Sequence, residues 1–200
     1  MSASSPPLTG SLVGRVKAIL LSPRSEWPVI AEESATTSSI YMRYVLPLAA
    51  IPAICGAIGL LGFGGSFYGG VGFSPMWAVR LAVSLYVETL IVIFVMSLVI
   101  DALAPTFGGQ KNQVQALKVA AYSATASWIA GVFALIPALG IFRLVGLYSL
   151  YLLYLGLPVV MKAPADRALP YAFATIVALF VIFIVIGAIA SRFMGLPRMY

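Results

Sequence analysis

The sequence predicts an all-α polytopic membrane protein, a five-transmembrane-helix bundle preceded by a short N-terminal amphipathic helical segment. Three observations carry that expectation. Apolar residues fill 62% of the 200 positions and charged residues only 9%, where a soluble domain carries about a quarter charged. Mean hydropathy is +1.04. The twelve Lys/Arg and six Asp/Glu also stand apart, leaving uncharged runs at 44–79, 119–142, 144–161 and 168–191, of the order of the ~20 residues that one span needs, or longer.

Residues 1–43 read as a cytoplasmic segment. Ser2 to Pro7 lack the basic-then-apolar order of a cleaved signal peptide, so the first span is expected to direct insertion. Leu12, Val13, Val16, Ile19 and Leu20 then fall at helical spacing, with Arg15 and Lys17 elsewhere on the wheel. Such a basic amphipathic helix either lies on the membrane surface or packs on the cytoplasmic ends of the spans, since both bury the same stripe. A second short helix follows, capped by Ser22 or Ser25, with Pro23 in its first turn and Trp27 suited to the membrane interface. The polar stretch 34–41 links it to the bundle.

The transmembrane domain is expected over 44–191, with spans at about 44–61, 77–104, 116–136, 142–160 and 169–191, and a tail at 192–200. In the first span Pro47 and Pro52 introduce bends, and Ala49, Ala53 and Ala57 permit close helix approach. The connector 62–76 has six glycines among fifteen residues but no Lys or Arg, so it does not match a phosphate-binding loop. The second span contains Arg80, Glu88 and Asp101, and the third has Ser123, Ser127 and Gly131 in one four-residue register. Pro170 falls near the start of the fifth, where its missing N–H costs little. With the N-terminus inside, eight Lys/Arg (Arg15, Lys17, Arg24, Arg43, Lys111, Lys118, Lys162, Arg167) are cytoplasmic and four (Arg80, Arg143, Arg192, Arg198) are outside. That bias predicts a multi-pass inner-membrane protein with a cytoplasmic N-terminus and an external C-terminus.

Composition excludes several chemistries. The chain has no His, which removes His-based acid/base catalysis, Ser-His-Asp triads and His metal sites. Cys55 lies in an apolar run and reads as a small hydrophobe. Basic residues spread over 15–43 without stacking aromatics do not form a nucleic-acid patch, and they suit anionic lipid headgroups instead. No catalytic set, cofactor or metal site is predicted. Glu88, eleven residues beyond Trp77, falls about 16 Å along a helix, near the middle of a hydrocarbon core about 30 Å thick. It reads either as a proton- or cation-binding carboxylate or as a carboxyl hydrogen-bonded to a neighbouring helix. Arg80 is near it in azimuth but more than two turns away. At the inner end, Asp101 and Lys118 form a candidate ion pair across the polar turn 105–112.

Pro23, Trp27 and Ile30, then Tyr44-Val45-Leu46-Pro47-Leu48, then Phe107-Gly108-Gly109 resemble, in order and spacing, bacterial members of the Yip family of Ypt/Rab-interacting five-span proteins. The resemblance extends over about residues 12–190 and implies a cytosolic N-terminus, five clustered spans and no catalytic activity. Eukaryotic relatives are associated with vesicle trafficking, Rab-type GTPases and membrane shaping. Their acidic-Leu-Tyr-Gly-Pro motif is absent here, so GTPase binding is not carried over. The residues therefore favour a non-enzymatic protein that organises lipids or partner proteins, itself included as a homo-oligomer. The competing reading is a small-solute or proton-linked transporter or channel centred on Glu88.

Overall fold

The computed structural model describes the backbone of residues 11–67 and 74–193 and the side chains of 11–63 and 74–184. Every regular element among these residues is helical. The chain begins with α1 (Leu12–Leu21) and α2 (Pro23–Glu32), a hairpin turned at Ser22. The Ser11 hydroxyl caps α1 by accepting the Gly14 N–H at 3.1 Å. Ser22 occupies the cap position of α2 without a side-chain cap bond, and Pro23 sets the first turn.

The polar stretch expected as a linker is already helical. Thr36 and Ser39 form a reciprocal capping box that starts α3 (Thr37–Ile40). A π-helical turn (Tyr41–Val45) continues it into α4 (Leu46–Phe67). The wider turn lies next to Pro47, which has no N–H to return to the preceding turn. Helix α4 runs on through the glycines expected as a connector as far as Phe67; residues 68–73 of that connector lie outside the described residues. Helix α5 (Pro75–Leu103), capped by Ser74, returns along α4 and ends in a 3-10 turn (Ala104–Phe107). Gly108 at φ 76° closes that turn, donating to Pro105 O while Gly109 donates to Ala104 O. A side chain at Gly109 would press within 2.9 Å of the Met161 carbonyl. Phe107-Gly108-Gly109 is thus a helix stop pinned to the next hairpin, with Phe107 stacked on Tyr171 at 5.0 Å.

The third apolar segment departs most from expectation. It is broken into α6 (Gln113–Ser123), α7 (Thr125–Ala130) and a 3-10 stretch (Gly131–Leu135). Ser123 donates to Val119 O at 2.6 Å and Thr125 to Tyr122 O at 2.6 Å, back-bonding that bends helices, and the break falls between them at Ala124. The segment runs beside α4 in the same direction: Tyr44 bonds Thr125, Gly131 packs on Pro52, and Gly59 lies against Ala134. It supplies the most enclosed part of the core, with all of 116–123 buried. A long 3-10 stretch (Pro137–Leu147) then leads into α8 (Tyr148–Val160), and α9 (Ala168–Phe193) completes the described fold.

Four helices among the described residues are long and apolar enough to cross a membrane: Thr37–Phe63, Pro75–Phe107, Pro137–Val160 and Ala165–Ile184. The expected third span at 116–136 is not one of them, because its helix is interrupted. The side chain of Arg192 and all of Arg198, used to orient the chain, lie outside the described residues, as does most of the expected tail.

Candidate functional site

The N-terminal hairpin packs on protein. Ile19, Trp27 and Ile30 are fully buried and Pro23 is buried with them, while Lys17 stays exposed. Trp27, expected at the membrane interface, instead seats on α8 at Gly156, where even a Cβ would lie 2.6 Å from the indole ring. Of the amphipathic stripe of α1, Ile19 is buried against protein and Leu12, Val16 and Leu20 are half-buried against the core, while Val13 stays exposed.

That docking encloses charge. Arg15 is buried and pairs with both Glu26 and Glu33. Its guanidinium lies 6.0 Å from the centre of the Tyr122 ring. Burial opposes its charged form, but Glu33 and Glu26 outweigh that penalty and raise its pKa above the ordinary arginine value. Lys118 is 2% exposed and donates to the carbonyls of Ile30 at 2.8 Å and Glu33 at 2.6 Å. Gln115 donates to Ala31 O at 2.9 Å. These carbonyls belong to the C-terminal turn of α2, where helical acceptors lack intrahelical partners and the dipole favours a cation.

The expected Asp101–Lys118 pair is consequently not made. Lys118 turns to α2, and the buried Oδ1 of Asp101 has no hydrogen-bond partner. The link between α5 and α6 is instead Gln113 Nε2 to Ser97 Oγ at 2.8 Å. The sequence did hold a sign of the Arg15 cluster, since three of the six carboxylates fall within 26–33. The carbonyl acceptors of Lys118 leave no such sign.

Glu88 lies thirteen residues from Pro75 and fifteen from Leu103, at the middle of α5. It is exposed at the mouth of a cavity of about 470 Å³ that reaches Ser123, Ser127, Trp128 and Ser149. The Ser127 hydroxyl has Gly146 O at 3.0 Å and Ser149 Oγ at 2.9 Å as alternative acceptors for its one proton, and its backbone N–H donates to Ser149 Oγ at 3.0 Å. Arg80 is also exposed, and neither it nor Glu88 forms an ion pair among the described residues.

The family model described as the Yip1 domain matches residues 17–187. The chain belongs to the Yip1 domain family. Among relatives of this Yip1 domain is "Inner membrane protein YohC" of Escherichia coli (strain K12), 33% identical over 160 residues that cover 77% of this chain and 82% of that protein. The protein of the same name from E. coli O6:H1 (strain CFT073) matches with the same figures. No solved structure matches. The Yip1 match begins within α1, two residues after Arg15, and ends within α9, so α2 with Glu26 and Glu33 lies inside it while Arg15 itself lies just before it.

Proposed function

We propose that this Yip1-domain protein is a non-enzymatic inner-membrane protein that gathers anionic lipid at its cytoplasmic face. One observation carries the reading. The two cations taken inside the fold near the hairpin, Arg15 and Lys118, are engaged by carboxylates or carbonyls, whereas Lys17, Arg24, Arg43, Lys111, Lys162 and Arg167 remain exposed on the same end, outnumbering exposed Glu32 and Asp166. None of the six makes an ion pair among the described residues. Each basic group near an anionic surface contributes about 1 kcal/mol of attraction. Beside them a cavity of about 280 Å³ is lined by Arg15, Arg43, Ser39 and Tyr122, a setting that suits a headgroup phosphate.

In this reading the chain crosses the membrane five times, residues 113–135 being the additional crossing, with the hairpin end cytoplasmic and the C-terminus outside. The parallel course of that segment beside α4 supports the count, and the basic excess at the hairpin end supports the orientation. The relatives named as inner membrane proteins support the location.

The test reconstitutes the protein with spin-labelled phosphatidylglycerol or phosphatidylcholine and measures the lipid fraction immobilised at the protein surface. The parent is expected to select the anionic lipid several-fold. Selectivity should fall when the six exposed cations are changed to Gln and when salt is raised. Equal immobilisation of both lipids by the parent defeats the reading.

A further inference from the structure

The geometry points to a second site, unrelated to the basic rim: the cavity around Glu88 binds lipophilic cations, amphiphiles that carry a fixed positive charge or a protonated amine on an apolar body. At about 470 Å³ the cavity is of the size that holds a small organic ligand. Its walls come from α5, the α6–α7 break, α8 and α9, and most of its lining is apolar, including Ile93, Leu153 and Leu179. Among the described residues of that lining, Glu88 is the only ionisable group.

The polar atoms beside Glu88 narrow the ligand class. Thr89 donates its hydroxyl proton to Leu85 O at 2.8 Å, Ser123 to Val119 O, and Ser127 to Gly146 O or Ser149 Oγ. With these three donors committed, the Ser149 hydroxyl and the Trp128 indole N–H are the donors left in the lining, and the carboxylate of Glu88 sets the sign of the charge that the cavity favours as positive. A bare divalent cation fits badly, since one carboxylate and bonded hydroxyls fall short of the six or so oxygen ligands that such ions take. Among the described residues the chain offers Glu88 no counter-ion. Arg80 is eight residues away, about 12 Å along the helix, and Arg15 and Lys118 are engaged at the hairpin end. A carboxylate at mid-membrane depth is costly unless paired. A cation that brings its own apolar body pairs with Glu88 and fills the surrounding cavity at once. Trp128 adds an aromatic wall of the kind that favours quaternary cations.

The experiment places the full chain in nanodiscs of zwitterionic lipid and measures binding of tetraphenylphosphonium by equilibrium dialysis, against empty discs. Uncharged triphenylphosphine oxide serves as the comparison ligand. The parent is expected to bind the cation saturably above empty discs and the neutral compound at least tenfold more weakly. Glu88→Gln should weaken cation binding at least tenfold, Glu88→Asp should keep most of it, and Ser149→Leu, which fills the cavity, should abolish it. Three results overturn the inference: no saturable cation binding by the parent, equal binding of the neutral compound, or a Glu88→Gln protein that binds like the parent. The first two use the parent alone, so they decide the matter whether or not a variant folds. Neutralising the six rim cations should leave this binding unchanged, which separates its failure from that of the lipid-gathering reading.

Discussion

At the hairpin end, Arg15 and Lys118 are enclosed by protein and meet carboxylates or carbonyls of α2, whereas Glu88, at the middle of α5, is exposed and meets no cation among the described residues. The two regions hold charge in different ways. The first region is buried by the fold, so its charges were matched when the hairpin docked. The second lies at the middle of a membrane-length helix, exposed on the side of the bundle, and among the described residues nothing in the chain matches it. A charge satisfied internally holds a structure together; a charge left at a cavity mouth is available for a ligand.

Variants can break this contrast, beginning with the largest effect. Arg15→Leu strands Glu26 and Glu33 in a buried site and is expected to cost about 3–5 kcal/mol of stability, read as a lowered thermal midpoint in detergent. Adding Glu26→Gln and Glu33→Gln should recover most of that loss. If Arg15→Leu leaves the midpoint unchanged, the cluster does not hold the hairpin. Gly156→Ala pushes a methyl group against Trp27 and should cost about 1–3 kcal/mol, with Trp27 fluorescence shifting as the indole moves. An unshifted spectrum and midpoint would mean that the hairpin does not seat on α8. Ser127→Ala removes the donor to Gly146 O at the cavity and should cost about 0.5–1.5 kcal/mol. Glu88→Gln should leave the midpoint where it is, because no partner in the fold loses a bond. A large loss from that change would show that Glu88 is structural after all.

Much of this architecture was legible in the sequence. Uncharged runs marked three of the four membrane-length helices, because charge is excluded from the hydrocarbon core wherever it has no task; the fourth, Pro75–Phe107, carries Arg80, Glu88 and Asp101, and the run 119–142 marked the interrupted segment instead. Phe107-Gly108-Gly109 read as a family signature, and the positive φ of Gly108 shows its physical origin. The third segment misled because its average hydropathy conceals hydroxyls that bond back to its own carbonyls and interrupt the helix. Trp27 misled because an amphipathic helix presents the same pattern to lipid and to protein, and only Gly156, 129 residues later, makes room for the indole. Lys118 was paired with the nearest acid along the chain, although backbone carbonyls at the end of α2 were its partners, and acceptors of that kind carry no residue-type signal. Glu88 stood out in the sequence for its place midway along an apolar segment, but the cavity beside it depends on small side chains from α6, α7 and α8 that only the fold brings together.

The contrast between matched and available charge is tested most directly by carboxyl labelling with a membrane-soluble carbodiimide, read by peptide mass spectrometry on the protein in native-like bilayers. The account predicts an adduct at Glu88 that tetraphenylphosphonium suppresses, while Glu26 and Glu33 stay unmodified until the protein is unfolded. Modification of Glu33 in the folded protein, with Glu88 left untouched, would contradict it.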